Sequence, residues 1–365
     1  MKLASGPFGR VIVIVTRQIG DVLLTTPLIQ AARERWPQAQ IDVLGFAGTL
    51  GMLRGNPAVH EFIEVPAGSG WRQARQLLPR LWRRYDLALV AEASDRAHLY
   101  GWAAAPLRSS LVPQRASISW WKKRLSQHTV TIDDDGTPTV LEKLALLSPW
   151  GPPPSTVSVT PPQPQDLPAE LQAQLRDAPV VVHVPSMWRY KQWPVKYFAD
   201  VIQALLARGE QVVLTGAASE VDQAQVAGVR HLGGPPALID ASGKLNLNQV
   251  TTLLRRAALY VGPDTSITHL AAATGTPVIT MFGPTNPVRW GPWPQGAAAA
   301  TPWQRKQPHQ AARKVILLQA EQDCVACGRA GCEDHRDSRS ACLEALTPQR
   351  VIDECFRVLD AARKV

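Results

Sequence analysis

The stretch GPDTSITHLAAATGTPVITMFGPTNPVRWGP, residues 262–292, contains the turn on which the reading of the whole chain rests. Just before it, ALYVG is a short run of β-branched and aromatic residues of the buried-strand type. After the polar triplet Asp264, Thr265 and Ser266 comes ITHLAAATG, Ala-rich, helical in its spacing and closed by glycine. A strand therefore feeds a helix through a polar turn. Two readings of that turn compete. Asp, Thr and Ser all cap helices, so an ordinary N-cap explains the triplet taken alone. The N–H groups of a first helical turn also form a ready anion site.

At 365 residues the chain is long for one hydrophobic core, and two domains are expected. With 45% hydrophobic and 19% charged residues the composition is that of a globular protein. No run of about 20 apolar residues offers a membrane span. The beginning, MKLASGPFGRVIVIV, joins a basic residue to an apolar run but passes directly into strand and turn chemistry without a small-residue cleavage site. No signal peptide is read, and a cytoplasmic location is expected. The formal net charge of +9 favours an anionic partner: nucleic acid, an anionic membrane face or an acidic substrate. The basic residues are scattered and match no zinc-finger, RNP-type or basic-zipper pattern, which makes nucleic acid the weakest of the three.

RVIVIV, residues 10–15, is apolar on both faces, as a buried parallel strand requires. TRQIGD and the helical VLLTTPLIQAARERW follow. The strand-like IDVLGF, EFIEVP and DLALVAE come next, separated by helical GTLGMLRGN and WRQARQLLPRLWRRY, which is the alternation of a doubly wound α/β domain. Residues 150–168, WGPPPSTVSVTPPQPQDLP, hold too much proline for a helix or a central strand and read as a linker. Beyond them the pattern restarts, with strands PVVVHVP, QVVLTG, ALYVG and TPVITMFG among helices VKYFADVIQALLARG, SEVDQAQVAGV, LNQVTTLLRRA and SITHLAAATG. The expected organisation is a doubly wound domain over 1–155, a Pro-rich linker over 156–168, a second doubly wound domain over 169–345 and an amphipathic C-terminal helix over 346–365. A ligand cleft is expected between the carboxyl ends of the two sets of strands.

Several polar residues fall on that edge. Asp21, in IGDV after the first strand, is either a helix cap or a general base toward a reacting hydroxyl. TRQIGD lacks G-x-G-x-x-G, which removes the main support for NAD. VPSMWRYKQWPVKYF brings Ser186 and Lys191 to the loop after the first strand of the second domain. A lysine near a hydroxyl suits phosphate, and a solvated loop lysine is the plain alternative. Trp188, Tyr190 and Trp193 in the same loop suit stacking on a base or sugar, or packing. Glu220, in LTGAASEVD, stands at a helix start, where it accepts from ribose hydroxyls or stabilises the helix terminus by its charge. His269 is either part of the site or a buried, satisfied histidine. Taken together, Ser186, Lys191, Glu220 and Asp264 to Ser266 follow strands of one domain, and Asp21 follows a strand of the other. They supply cations and N–H groups for a diphosphate, an acceptor for a ribose and a base for glycosyl transfer.

These stretches resemble the heptosyltransferases, glycosyltransferases that add heptose to the inner core of lipopolysaccharide. The likeness rests on GDVLLTTPLIQAARERWPQAQIDVLGFAGTLGMLRGNPAV in the first domain and on KQWPVKYFADVI, LTGAASE and residues 262–292 in the second, and it covers nearly the whole chain. HTV, residues 128–130, and the Cys-rich tail look most like the heptosyltransferase III branch. The resemblance implies a GT-B fold, two Rossmann-like doubly wound domains facing a central cleft, with the acceptor on the first and an ADP-activated heptose on the second. It also implies inverting transfer that requires no metal or other cofactor. It carries the role of base to Asp21, phosphate binding to Lys191 and the Ser186 hydroxyl, nucleotide contact to Glu220, and the D-T-x-x-x-H donor signature to Asp264, Thr265 and His269. This chain has Arg17 and Gln18 before GD, and Met187 beside Ser186, where some relatives carry small hydroxyl residues. On this reading Asp264 meets sugar hydroxyls, while Thr265, Ser266 and the backbone take the phosphates. A transferase of the same fold with a UDP-type donor and a non-catalytic sugar-nucleotide binder are the alternatives.

A membrane-anchored, anionic glycolipid acceptor gives the basic balance a reason, and implies a peripheral position on the inner face of the inner membrane. SWWKKRL, residues 119–125, sets Trp120 and Trp121 beside Lys122, a pattern suited to lipid head groups or to a packed Trp pair with a solvated charge run. Four cysteines, Cys324, Cys327, Cys332 and Cys342, crowd into DCVACGRAGCEDHRDSRSACL with His335 among them. C-x-x-C with two further cysteines suits structural zinc or iron better than disulfides in a cytoplasmic protein, and reduced thiols packed in a loop are the alternative.

Overall fold

The computed structural model describes residues 6–66 and 71–363, residues 71–75 by their backbone alone. It divides into two compact units. The first runs to Gln163 and takes back Gly296–Ala300; the second holds Pro164–Gln295 and the described residues from Thr301 on.

The first unit contains β1 (Arg10–Val15), α1 (Ile19–Leu23), α2 (Thr26–Arg35), β2 (Gln40–Phe46), β3 (Glu61–Val65), α3 (Trp71–Leu81), β4 (Leu87–Val90), α4 (Asp95–Ala104), β5 (Leu107–Val112), α5 (Ala116–Leu125), β6 (His128–Thr131), α6 (Thr139–Leu144) and β7 (Thr156–Val157). Six strands form one parallel sheet in the order β3-β2-β1-β4-β5-β6. Val11 to Val15 are wholly buried, so the apolar run of β1 is covered on both faces. GTLGMLRGN, expected to be helical, makes only a single 3₁₀ turn at Leu50–Leu53. LRSSLV and HTVT were not legible as strands. Serine is a weak strand former, yet Ser109 and Ser110 are fully buried in β5, where Ser109 Oγ donates to Leu146 O at 2.6 Å.

The second unit contains α7 (Ala169–Gln174), β8 (Val180–His183), α8 (Val195–Ala207), β9 (Val212–Thr215), α9 (Glu220–Ala227), β10 (Leu238–Asp240), α10 (Leu247–Arg256), β11 (Leu259–Pro263), α11 (Ser266–Thr274), β12 (Val278–Met281) and α12 (Pro287–Trp290). After β13 (Ala297–Ala298), which lies in the first unit, come β14 (His309–Ala312), β15 (Val315–Leu318), α13 (Ala341–Ala345) and α14 (Pro348–Arg363). Its sheet runs β10-β9-β8-β11-β12-β15-β14, parallel except for the antiparallel edge pair β14 and β15. Gly262 is needed inside β11, because a Cβ there would come within 2.4 Å of the Tyr260 hydroxyl. That hydroxyl meets Thr268 Oγ1 of α11 at 2.9 Å and ties strand to helix. Gly275, at φ +77, closes α11 in the left-handed conformation.

One segment differs from expectation. The Pro-rich stretch is packed rather than loose over its first half. There β7 pairs antiparallel with β13, Val157 and Val159 are buried, and Thr160 N donates to Thr26 Oγ1 at 2.9 Å. The last helix, α14, belongs to the second unit, where Val351, Cys355 and Leu359 join the core of Val182, Phe198 and Val201. Arg363 Nη2 holds Glu210 Oε1 at 2.6 Å, and Arg208 pairs with Asp360.

Trp193 is 1% exposed in that core, set edge-on to Phe198 with ring centroids 4.9 Å apart, and its Nε1 donates to Leu346 O at 2.9 Å. Trp193→Ala is expected to cost about 3–5 kcal/mol of stability, read by urea unfolding of the full chain.

Candidate active site

In each sheet the strand order reverses once, between β1 and β4 in the first unit and between β8 and β11 in the second. Helices leave to opposite faces at such a reversal, so the loops after the two strands part and expose polar groups.

At the second reversal, Ser186 follows β8 and is buried. Its backbone N donates to Gln225 Oε1 at 3.2 Å, and its carbonyl accepts from Gln192 Nε2 at 2.9 Å. Lys191 closes a 3₁₀ turn, Arg189–Lys191, in the same loop. From the other strand, Asp264 enters at the end of β11 with a side chain 6% exposed, and Lys191 Nζ meets its Oδ2 at 2.7 Å. The two residues assigned separately to phosphate and sugar therefore form one ion pair across the reversal. Thr265 stands at the N-cap of α11 but makes no capping bond. Its Oγ1 lies 3.4 Å from Thr268 Oγ1, which is committed to Pro263 O at 2.5 Å. An ordinary N-cap therefore does not account for the triplet. Ser266 opens the helix half-buried, and His269 is buried within it. Glu220 is exposed at the first position of α9, which Ser219 caps through Asp222 N.

At the first reversal, Asp21 lies in the first turn of α1, whose N-cap is Gln18, so Asp21 is not the cap. Its side chain is 14% exposed, and Arg17 Nε stands 3.8 Å from Oδ2. Across the reversal, just after β4, buried Glu92 accepts from Thr16 N at 2.7 Å and from the Thr16 hydroxyl through Oε1. Its Oε2 has no hydrogen-bond partner among the described residues. Beneath α1 lies the buried Lys143 of α6, which donates from Nζ to Asp21 O at 2.6 Å and to Thr25 Oγ1 at 2.8 Å. Burial pulls its ammonium down to about 8, against the pull upward from Asp21 and Glu92. Neither Glu92 nor Lys143 belongs to a recognisable motif. The available signals were an acid directly after a buried strand, in LALVAE, and a lysine inside an apolar helix, in TVLEKLALL.

The model of glycosyltransferase family 9 (heptosyltransferase) matches residues 74–318, more than half of the chain. Lipopolysaccharide heptosyltransferase 3 of Escherichia coli K12 is 31% identical over 296 residues, 76% of this chain and 83% of that one. The chain belongs to glycosyltransferase family 9. It is a glycosyl-transfer enzyme of the heptosyltransferase family, and its two doubly wound units are the Rossmann-like halves of the GT-B fold. Escherichia coli ADP-heptose lipopolysaccharide heptosyltransferase II has the same fold, with a TM-score of 0.71 at 21% identity over 97% of this chain and 99% of that one. The iron-containing dodecameric glycosyltransferase TibC of enterotoxigenic Escherichia coli is a more distant neighbour, with a TM-score of 0.56 at 15% identity over 99% of this chain and 78% of that one.

The remaining candidates of this family 9 transferase sit away from the two reversals or prove to be structural. Lys122 is turned inward: it is 3% exposed, its Nζ donates to Ala93 O at 2.6 Å, and it pairs with Asp95 Oδ1 at 2.8 Å. Its ammonium is spent on the start of α4 and does not face lipid. Trp121 is half-buried, edge-on to His98, whereas Trp120 is 64% exposed with Lys123 and Arg124 exposed beside it. Among the described residues no helix is long and apolar enough to cross a membrane. Trp193 packs in the core, and the Arg336 guanidinium covers the Trp188 ring at 4.3 Å.

Cys342 is buried with Ala320, Val325 and Ala326, and Cys324, Cys327 and Cys332 are exposed. Burial, together with the three other thiols nearby, pushes the Cys342 thiol up to about 12. Among the described residues, three ligand atoms lie within 4.8 Å of one another only at Asp42, His60 and Glu61, where Asp42 already accepts from Tyr85 OH at 2.8 Å.

Lys191→Met strands the buried Asp264 carboxylate and is expected to cost about 1–3 kcal/mol, discounted for the partial exposure of Lys191. Adding Asp264→Asn is expected to recover more than half of that loss. Urea melts of the four proteins of the cycle check the coupling, and strictly additive losses would refute it.

Proposed function

We propose that this transferase moves heptose from ADP-heptose to the inner core of lipopolysaccharide, with inversion at the transferred carbon. The observation that carries the reading is the pairing of Lys191 with Asp264 at the reversal of the second sheet, directly before the uncapped start of α11. A half-buried cation and an open helix N-terminus side by side are what a sugar diphosphate needs. Lys191, Thr265, Ser266 and the first turn of α11 take the phosphates, with the Ser186 loop beside them. Asp264 orients Lys191 and offers its carboxylate to sugar hydroxyls, and Glu220 accepts from the ribose. Asp21 serves as base. It withdraws the proton of the acceptor hydroxyl as that oxygen attacks the anomeric carbon, and ADP leaves from the opposite face of the ring, which inverts the centre. The names of the relatives support the donor and the acceptor: lipopolysaccharide heptosyltransferase 3, and an ADP-heptose heptosyltransferase with the same fold. The place of work is the cytoplasmic face of the inner membrane, where Trp120, Lys123 and Arg124 of α5 meet anionic head groups.

Calorimetric titration with ADP and UDP tests the donor. ADP is expected to bind selectively, and Lys191→Ala to weaken it about tenfold or more. A preference for UDP would keep the fold and replace the donor. Asp21→Asn is expected to lower transfer about 10²–10⁴-fold while leaving ADP affinity unchanged, and full activity would make Asp21 a bystander.

The cysteine segment supports a second element of the reading, a structural zinc or iron held by Cys324, Cys327, Cys332 and Cys342. Thiolates are the soft ligands such metals take, and the four cysteines belong to one short segment. Residues 319–340 contain no helix or strand, and a metal would brace so long a loop. The segment it would stiffen supports the Lys191 loop, because Ser340 Oγ donates to Tyr190 O at 2.6 Å. The metal would take no part in transfer. Elemental analysis of the purified chain is expected to show about one equivalent, lost in Cys324→Ser with Cys327→Ser; a metal-free, fully folded wild type would sink this element alone.

A further inference from the structure

The triangle beneath α1 has work that burial alone does not explain. A wholly buried lysine is rare and unfavourable unless its ammonium is satisfied. Lys143 gives two hydrogen bonds to one turn: to Asp21 O at 2.6 Å and to Thr25 Oγ1 at 2.8 Å, while the Thr25 hydroxyl itself donates to Asp21 O at 2.7 Å. The turn it holds is a helix of five residues with no side-chain cap, too short to keep its own shape. The groups facing the ammonium are Asp21 on α1, Arg17 just before it, Glu92 after β4 and Glu142 on α6 itself. Two of these carboxylates are engaged elsewhere, Glu92 by Thr16 and Glu142 by Asp133 N at 2.6 Å.

We propose that Lys143 is a positioning residue for glycosyl transfer: it pins the Asp21 backbone from below and so fixes where the Asp21 carboxylate meets the acceptor hydroxyl. The inference rests on the reading of Asp21 as base. The ammonium is charged at neutral pH and loses its proton as pH rises through about 8, so its support for Asp21 fades on the alkaline side.

The test measures transfer from ADP-heptose to truncated lipopolysaccharide against pH, for the full-length wild type, Lys143→Met, Thr25→Val and Asp21→Asn. Lys143→Met is expected to lower kcat about tenfold or more with KM for both substrates within about twofold. The wild-type decline near pH 8 is expected to vanish. Thr25→Val keeps the charge but breaks one leg of the triangle, and is expected to lower kcat while the decline near pH 8 remains. Calorimetric ADP binding gives the folded fraction of every variant. Wild-type kcat and pH profile in Lys143→Met overturn the inference. Should Lys143→Met fail to bind ADP, Thr25→Val decides, and an unchanged kcat there overturns it equally. A fully active Asp21→Asn removes the base reading itself, whereas an inactive Asp21→Asn beside an indifferent Lys143→Met removes only the role of Lys143.

Discussion

A parallel sheet covered by helices on both faces has almost no place for polar chemistry. Its strands are apolar throughout, and the loops at its carboxyl edge are drawn over one face or the other by the helices they enter. The one gap is where strand order reverses, and this chain has one such gap in each unit. Apart from the exposed Glu220 after β9, the charged groups assigned above to donor and base lie at a gap or are buried just behind one. Thr16 and Glu92 bridge the first, and Lys191 and Asp264 bridge the second. The bridging contacts also tie together the two halves of each sheet, so stability and function draw on the same residues.

The buried charges follow a common rule in both units. None is left to the interior alone. Asp42 takes the Tyr85 hydroxyl and His60, Lys122 takes a carbonyl and Asp95, and Lys143 takes a carbonyl and a hydroxyl. What separates a structural charge from a site charge is where its partner sits. Lys122 is consumed by the start of one helix. Lys191 and Lys143 each reach from their own element to an acidic residue at a reversal.

Much of this was legible in the sequence. RVIVIV, PVVVHVP and ALYVG are apolar on both faces, which few structures other than a covered parallel sheet require, and the polar turns after them mark the site edge. LRSSLV and HTVT were not legible, because the serines of β5 are satisfied by partners distant in sequence, such as Leu146 O. The inward turn of Lys122 was equally hidden: KKR is the same string whether its first ammonium points to lipid or to Ala93. Lys191 and Asp264 were each found from local context, but their contact joins two loops some seventy residues apart and could not be seen in either. Lys143 and Glu92 went unnoticed for the same reason, since each acquires meaning only through the neighbour that the topology supplies.

The small pairing of β7 with β13 bears on how the molecule is made. The first unit is not contiguous in the chain: its last strand, Ala297–Ala298, is encoded after most of the second unit. A ribosome must therefore deliver five of the seven strands of the second sheet before the first unit can close. Until then Val157 and its neighbours wait with one edge unpaired. A chain cut within residues 164–295 would separate the first unit from a piece of its own fold.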